Sequence, residues 1–268
     1  MAFWFESVRR LVLAMAVAGA TLAHAGRSCE ERKPTAQTIE RGMQLAERTL
    51  AALEASGAQV VLLARAGQDL TKYGLRYSHL GLAYRVQDAP GGPTWRVLHK
   101  LNHCGSAESA IYRQGLGEFF LDDLWRYEAA WAVPTGELQR ALAALLAETP
   151  RALALHHKPY SLVSYAWGRR YQQSNQWAIE TLAAAAEPGV AGSRERAQAW
   201  LQFKGYQPTT LRLGPLTRLG GRISTANVAF DDHPNDKRFS DRIETVTVDS
   251  VFEWMARTGL SGPVQTLR

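Results

Sequence analysis

Cysteine is scarce in this chain, and charge of either sign is never concentrated. The two cysteines among 268 residues stand far apart, at positions 29 and 104, and four ligands at the usual spacing of a zinc site do not occur. No run of Lys or Arg exceeds two residues, so the basic excess of 31 over 25 acidic residues forms no patch for nucleic acid. A diffuse excess suits an anionic surface such as a cell wall or phospholipid. What is present, 46% apolar and 21% charged residues, is typical of a globular protein and excludes collagen-like, disordered and coiled-coil chains.

The N-terminus has the pattern of a secretory signal peptide. Arg9 and Arg10 precede an apolar segment over residues 11–22, and residues 23–25 read Ala-His-Ala, a small-residue cleavage site. An uncleaved membrane anchor is the alternative, but this apolar segment is shorter than the roughly 20 residues that span a bilayer. We therefore predict cleavage of residues 1–25 and a periplasmic or secreted mature chain of 243 residues, which is 268 less 25.

Export would place Cys29 and Cys104 in an oxidising compartment, where an even pair of cysteines favours a disulfide. Such a bond would tie the N-terminal arm to the core and contribute about 3–4 kcal/mol. Two unrelated free thiols are the alternative. A catalytic Cys104 beside His103 is a third interpretation, although sequence neighbours in a strand point to opposite faces.

Segments of helical and strand periodicity predict one α+β domain over residues 26–268, with a core at about 58–205 and a C-terminal extension at 206–268. The Ala-Pro-Gly-Gly-Pro sequence at 89–93 predicts a hairpin turn. Thr135 is the expected N-cap of a strong helix. The predicted helices are 38–55, 136–148, 174–186, 193–204 and 249–256, and the predicted strands are 60–65, 77–86, 95–102, 129–133 and 243–248.

Two short segments carry side chains suited to catalysis. His79 begins a strand that is otherwise apolar, and a half-buried histidine bonded to the backbone is the simplest explanation of it. Ser174 stands where a helix begins, and free N–H groups at a helix N-terminus stabilise negative charge on a nearby side chain. Serine is also a preferred N-cap, so helix capping explains Ser174 equally well.

Five features follow one another in a set order: Ser78-His79-Leu80-Gly81-Leu82, His99 on the next strand, the helix at 136–148, Pro159-Tyr160, and the segment 171–178. In that order they resemble the circularly permuted papain-like superfamily, which includes lecithin:retinol acyltransferase-like proteins and bacterial cell-wall or lipid amidases. The resemblance covers about residues 77–186. It implies antiparallel strands packed on the 174–186 helix, wrapped by the residues after 205, and a catalytic set of Ser174, His79 and His99.

A second resemblance is closer. The Ser-Asn-Gln-Trp sequence at 174–177 with Glu180 after it, and the Phe-Asp-Asp-His-Pro sequence at 230–234, are similar to motifs of an exported bacterial family known only as a domain of unknown function. That resemblance implies a family and a compartment, and no established activity.

The chain departs from the papain-like pattern at its nucleophile, because Ser174 stands where active members carry cysteine. A thiol with a pKa of about 8.5 is readily held as thiolate. A serine hydroxyl is far less acidic and would need His79 as general base, His99 to orient it, and an oxyanion hole. Three hypotheses remain open: a degenerate protein that binds without turnover, a serine amidase or acyl hydrolase, and neither.

Other clusters have simpler explanations than chemistry. Asp231, Asp232, His233 and Asp236 could bind a divalent cation, but a solvated turn is the expected structure. His156-His157 could line a cleft entrance or form a surface pair. Glu180 is expected to be an exposed helix residue. An aromatic and cationic cleft wall for a glycan or lipid headgroup is conceivable at Trp167, Arg169, Arg170 and Tyr171.

These patterns together predict an exported papain-like α+β protein that is degenerate at its nucleophile and binds a cell-envelope peptide or lipid. The alternative is an amidase or esterase that uses Ser174 and His79. We expect no cofactor, no metal and no nucleic acid. Peripheral membrane contact fits the diffuse basic charge, while the oligomeric state stays open.

Overall fold

The computed structural model describes residues 33–87, 89, 91–190, 192–224 and 226–268 of the chain. The predicted signal peptide and Cys29 lie outside these residues, so cleavage and the pairing of Cys29 with Cys104 remain predictions. No helix within the described residues is long and apolar enough to cross a membrane.

The fold is α+β, as predicted, with a six-stranded antiparallel sheet between two layers of helices. The strands are β1 (Val60–Ala66), β2 (His79–Val86), β3 (Thr94–Asn102), β4 (Ser109–Gly115), β5 (Arg126–Ala132) and β8 (Gln265–Leu267), in the order β4-β3-β2-β1-β5-β8. A smaller sheet pairs β6 (Thr209–Arg212) with β7 (Arg242–Thr245).

Nine α-helices occur in the described residues. They are α1 (Ala36–Ala55), α2 (Leu116–Phe120), α3 (Gly136–Ala147), α4 (Thr149–Leu153), α5 (Ser174–Ala186), α6 (Arg194–Phe203), α7 (Pro215–Ser224), α8 (Asn235–Arg238) and α9 (Val248–Arg257). Thr135 caps α3 as expected, since its side chain accepts from the Leu138 backbone. The predicted start of α9 at Asp249 is wrong, because Thr247 is its N-cap.

The central strand β1 explains the layered core, because all seven of its residues are buried. Strand side chains alternate between faces, so Leu62 packs with the helix α5 on one face. Leu63 packs with Leu45 of α1 and Phe119 of α2 on the other face. A sheet covered on both faces can hold polar side chains away from water, which matters at the edge where β2 meets α5.

The C-terminal residues are joined to this core. Trp254 of α9 is fully buried in the same cluster as α5, and β8 pairs with β5. A third cluster, formed by Leu211, Leu213, Phe230 and Ile243, lies beneath the small sheet. Strands β4, β6 and β8 and helices α2, α4, α7 and α8 were not predicted from the sequence.

Candidate functional site

A cavity of about 690 Å³ opens where β2 and α5 begin. Ser174 and His79 both line this cavity. Tyr160 and Gln114 line it as well. A cavity of this size, lined by a few converging polar groups, is typical of a small-molecule or peptide site.

His79 and His99 form a buried pair behind the cavity wall. Nε2 of His79 lies 2.8 Å from Nδ1 of His99, and Nε2 of His99 lies 2.8 Å from Oε1 of Gln114. Both rings pack against Phe119, with centroids 6.0 and 5.3 Å from its ring. The third predicted residue, His99, therefore supports His79 from behind and does not line the cavity itself.

The amide oxygen of Gln114 fixes the tautomer of the pair. An amide oxygen only accepts, so Nε2 of a neutral His99 carries the proton and its Nδ1 is an acceptor. Nε2 of His79 must then donate to that Nδ1. Nδ1 of His79 is left with its lone pair, which is the form that a general base requires.

Burial and a neighbouring cation keep both imidazoles neutral. Burial is the main cause that lowers the pKa of His79 well below its usual value, and the Arg65 guanidinium and His99 lower it further. Burial and Arg65 lower the pKa of His99 to about 4, against the opposing bond to Gln114. Arg65 is itself buried, 4.6 Å from the Phe119 ring and 2.5 Å from Asp122. Sequence reasoning missed both Gln114 and Arg65.

Ser174 is the first residue of α5, and it does not cap the helix. The N-cap is Gln173, whose side chain accepts from the Asn175 backbone N–H at 3.1 Å. Capping therefore no longer explains the serine at this position. Its Oγ lies 3.5 Å from the Tyr160 hydroxyl. Burial raises the pKa of Tyr160 against the opposing hydrogen bonds from Ser174, so the phenol stays protonated and can donate.

Asn175 joins the helix of Ser174 to the strand of His79. Its Oδ1 accepts from the Leu80 backbone N–H at 2.9 Å, and its Nδ2 donates to the Ser78 carbonyl at 3.5 Å. These bonds hold the backbone on both sides of His79. The asparagine of the Ser-Asn-Gln-Trp sequence thus fixes the start of β2 against the start of α5.

Gln176 holds the loop that precedes α5. Its Nε2 donates to the Tyr165 and Ala166 carbonyls, each at 3.1 Å, and its Oε1 accepts from Ser164 Oγ at 2.9 Å. Trp177 is fully buried in the core. In the Ser-Asn-Gln-Trp sequence, one residue therefore lines the cavity and one packs in the core. The other two hold neighbouring backbone segments by hydrogen bonds.

Glu180 is fully buried, which corrects the expectation of an exposed helix residue. It accepts from Arg194 Nε at 2.8 Å, Gln172 Nε2 at 2.6 Å and Gln198 Nε2 at 2.7 Å. Gln172 also accepts from Lys100 Nζ at 2.7 Å, and burial lowers the pKa of Lys100 to about 6. This network underlies α5 and lies outside the cavity lining.

The Phe-Asp-Asp-His-Pro segment braces the same loop. Asp232 accepts from the Tyr165 backbone N–H at 2.8 Å and lies 3.0 Å from His233 Nδ1. Asp231 pairs with Arg170 at 2.8 Å. In the described part of the chain no group of three or more His, Cys, Asp or Glu side chains could hold a metal ion. The carboxylates act here as hydrogen-bond acceptors for the loop.

The other candidates lie away from the cavity lining. Trp167 packs on the main core with its ring 5.9 Å from Tyr206. Arg169 pairs with Glu195 at 2.7 Å. His157 Nε2 lies 3.0 Å from the Arg170 carbonyl. The suggested cleft wall and cleft entrance are therefore not formed by these residues.

The fold and site define an α+β protein with an open cleft lined by a helix-start serine and by one histidine of a buried, neutral pair. A family model described as an uncharacterised protein conserved in bacteria, DUF2145, matches residues 52–255, and the chain belongs to that family. No curated protein and no solved structure matches the chain.

Proposed function

We propose that this protein is an acyl hydrolase, an amidase or esterase, that uses Ser174 as nucleophile on a permuted papain-like framework. The observation that carries the proposal is the hydrogen-bonded order Gln114–His99–His79, which points the basic nitrogen of His79 away from His99. Ser174 lines the same cavity as His79. The antiparallel sheet packed on α5, with the histidines on β2 and β3, is the arrangement that the papain-like resemblance implies.

The proposed reaction has two balanced steps. Ser174 Oγ forms a bond to the substrate carbonyl carbon while Nδ1 of His79 takes the hydroxyl proton, and the same nitrogen then protonates the departing amine or alcohol. Water, deprotonated by His79, then attacks the acyl-serine, and Ser174 regains its proton as the acid leaves. His99 accepts the Nε2 hydrogen bond of His79 throughout.

Tyr160 and the first turn of α5 supply the groups for the developing oxyanion. The Tyr160 hydroxyl is protonated and lies 3.5 Å from Ser174 Oγ. The first N–H groups of a helix favour negative charge, and of these the Asn175 N–H is already accepted by the Gln173 side chain, so it is not counted among the oxyanion donors. Such donors contribute several kcal/mol when they face the transition state, so Tyr160 is expected to act as a donor during acyl transfer.

A second candidate is binding without turnover, which three observations favour. Serine replaces the cysteine of active papain-like members, and the hydroxyl of Ser174 lies within hydrogen-bond distance of Tyr160. A lowered pKa also makes His79 a weak base. In this case the cavity would hold a cell-envelope peptide or lipid intact. Both candidates place the protein in the periplasm or outside the cell, in keeping with the predicted signal peptide.

Fluorophosphonate labelling separates the two candidates. We expect wild-type protein to be labelled, and the Ser174→Ala and His79→Ala variants to lose labelling by at least about a hundredfold, the usual scale of general-base catalysis. Ser106→Ala is the matched control, because Ser106 lines the same cavity and its Oγ bonds the His103 carbonyl. Equal labelling of wild type and Ser174→Ala would overturn the hydrolase proposal.

The Ser174→Cys variant tests the cleft when wild type is not labelled. A thiol at this position should react with iodoacetamide faster than a free cysteine, since helix N-termini lower thiol pKa values. Fast alkylation without wild-type labelling would support the binding candidate on an intact cleft. Slow alkylation in a folded variant would count against both candidates.

A further inference from the structure

Helix α7 turns one face inward and leaves apolar side chains on the other. Thr217 and Gly221 line a second cavity of about 210 Å³. Arg218 donates to the Ser240 carbonyl and lies 4.6 Å from the Phe230 ring. Leu216 and Leu219, three residues apart and so on one face of the helix, are 83% and 55% exposed.

A third apolar side chain lies next to this helix. Phe239 is 77% exposed, and it directly precedes Ser240, to which α7 is bonded through Arg218. We name Leu216, Leu219 and Phe239 the α7 patch. Isolated exposed leucines are common on protein surfaces, whereas a helix whose outer face carries its large apolar residues is a feature of interaction sites.

Basic residues outnumber acidic residues around the α7 patch. Residues 204–244 contain seven Lys or Arg and five Asp or Glu, and all five acidic residues follow Phe230. Arg212 and Arg242 face each other across β6 and β7 at the end from which α7 departs. Asp241 lies 3.9 Å from Arg242 and offsets part of that charge. Apolar side chains flanked by arginine match the interface of an anionic bilayer.

We infer that the α7 patch docks this protein on an anionic phospholipid surface. Leu216, Leu219 and Phe239 insert among the acyl chains, and the exposed Arg212 and Arg242 contact the lipid phosphates. This inference does not depend on catalysis at Ser174.

Docking at the α7 patch would bring the bilayer close to the cavity that contains Ser174. Thr217 and Gly221 of α7 line the second cavity, and Ala226 and Asn227, just beyond the helix, line the cavity of Ser174. The two cavities share four lining residues, which are Gln68, Ser78, Leu162 and Gln173. A bilayer held at α7 would therefore lie beside both openings.

Vesicle sedimentation tests this inference on the full chain. Wild type should bind vesicles of phosphatidylglycerol and phosphatidylcholine, bind pure phosphatidylcholine more weakly, and lose affinity severalfold at high salt. Leu216→Ser combined with Leu219→Ser should lower partitioning at least about tenfold. Leu50→Ser is the matched control, because Leu50 is 41% exposed on α1 and is not part of the α7 patch. Wild type and variants carry the same N-terminal segment. A difference in vesicle binding between them is therefore due to the substituted residues of α7.

Three results would overturn the inference. They are failure of wild type to bind either vesicle, equal binding by the leucine double variant, and a wild-type dimer that the double variant abolishes, which would assign the patch to a second copy of the chain. Arg212→Glu with Arg242→Glu is a second variant for the case in which the leucine variant does not fold. It should selectively weaken binding to the anionic vesicles, and unchanged binding would again contradict the inference.

Discussion

His79 and His99 lie on neighbouring strands with Nε2 of one 2.8 Å from Nδ1 of the other. The β2–β3 pairing sets Leu82 opposite Leu98, and continuing that register places Gly81 opposite His99 and His79 two positions further along. Diagonal neighbours at this spacing are within reach of long or aromatic side chains. The contact between the histidines is thus a consequence of strand register together with the missing side chain at Gly81.

The histidine pair predicts loss of stability in mild acid. The pKa of His99 falls to about 4 in the folded protein from a usual value of 6.5, so below pH 6.5 the unfolded chain binds protons that the folded chain does not. The contribution of His99 to the free energy of unfolding therefore keeps its full value above pH 6.5. It decreases by about 3 kcal/mol as the pH falls towards 4. Urea unfolding at pH 7 and at pH 4.5 measures the difference.

The His99→Gln variant is the test of this assignment. Its free energy of unfolding should depend less steeply on pH than that of wild type between pH 7 and 4.5. His103→Gln, which alters an exposed histidine on the loop after β3, should keep the wild-type slope. A His99→Gln slope equal to that of wild type would contradict the assignment.

Gly81 predicts a packing defect that a second mutation repairs. A Cβ at this position would lie 2.6 Å from Val97 Cγ1 and 3.3 Å from His99 Cβ. Gly81→Ala should therefore destabilise the fold by about 1–3 kcal/mol and displace His99. Adding Val97→Ala should recover part of that loss.

Gly262→Ala is the control for Gly81, since nothing lies within 4 Å of a Cβ there. It should leave the thermal midpoint within about 2 °C of wild type. If Gly81→Ala melted like Gly262→Ala, the close approach to Val97 would not explain the glycine in the His79 motif.

The buried Glu180 predicts a large loss of stability on neutralisation. Glu180→Gln removes the charge that pairs with Arg194 at 2.8 Å and sets an amide group against the donors of Gln172 and Gln198. Breaking a buried pair typically costs about 3–5 kcal/mol. The measurement is the free energy of unfolding in urea at pH 7.

Glu195→Gln is the matched control, because its ion pair with Arg169 has a similar length of 2.7 Å but both side chains are largely exposed. Exposed pairs contribute about 0–1 kcal/mol, so this variant should unfold close to wild type. Equal effects of the two substitutions would mean that burial does not decide the contribution of Glu180.

Much of the central sheet could be predicted from the sequence because β1, β2 and β3 carry continuous or alternating apolar residues with a clear turn at 89–93. Strand β4 escaped prediction because it is a sheet edge with exposed Tyr112 and Arg113. Helix α7 escaped because Gly, Pro and Arg interrupt its apolar pattern, and its leucines face outward. Hydrophobic periodicity in a sequence reflects which side chains are buried. Strands at sheet edges and helices at the surface therefore show it only weakly.

The residues of the candidate site also differ in whether the sequence alone could identify them. Motif order singled out Ser174 and His79 as candidates, and both line one cavity. Gln114 could not be found, since it lies on the strand that was missed and only strand pairing brings it to His99. The burial of Glu180 could not be read from a single helix, because twelve of the thirteen residues of α5 are buried and periodicity identifies only a helix with one exposed face.

The amide of Gln114 predicts a change in histidine tautomer when it is removed. Gln114→Leu leaves Nε2–H of His99 without its acceptor, which destabilises the fold by about 1–3 kcal/mol and allows the proton to move to Nδ1. His79 would then carry its proton on Nδ1, and that nitrogen would no longer act as a base. Nitrogen-15 NMR of the two rings reads the tautomers directly, and fluorophosphonate labelling of Ser174 should fall at least about tenfold.

The Gln114→Glu variant distinguishes an effect of the histidine tautomer from an effect of losing the hydrogen bond at position 114. A carboxylate still accepts from His99 Nε2 and, as an opposite charge, raises the pKa of His99 above its present value of about 4. The wild-type tautomers should therefore be retained, while the labelling rate declines at a higher pH than in wild type because His99 protonates sooner. If Gln114→Leu kept both wild-type tautomers and wild-type labelling, the orientation of His79 would not depend on this amide.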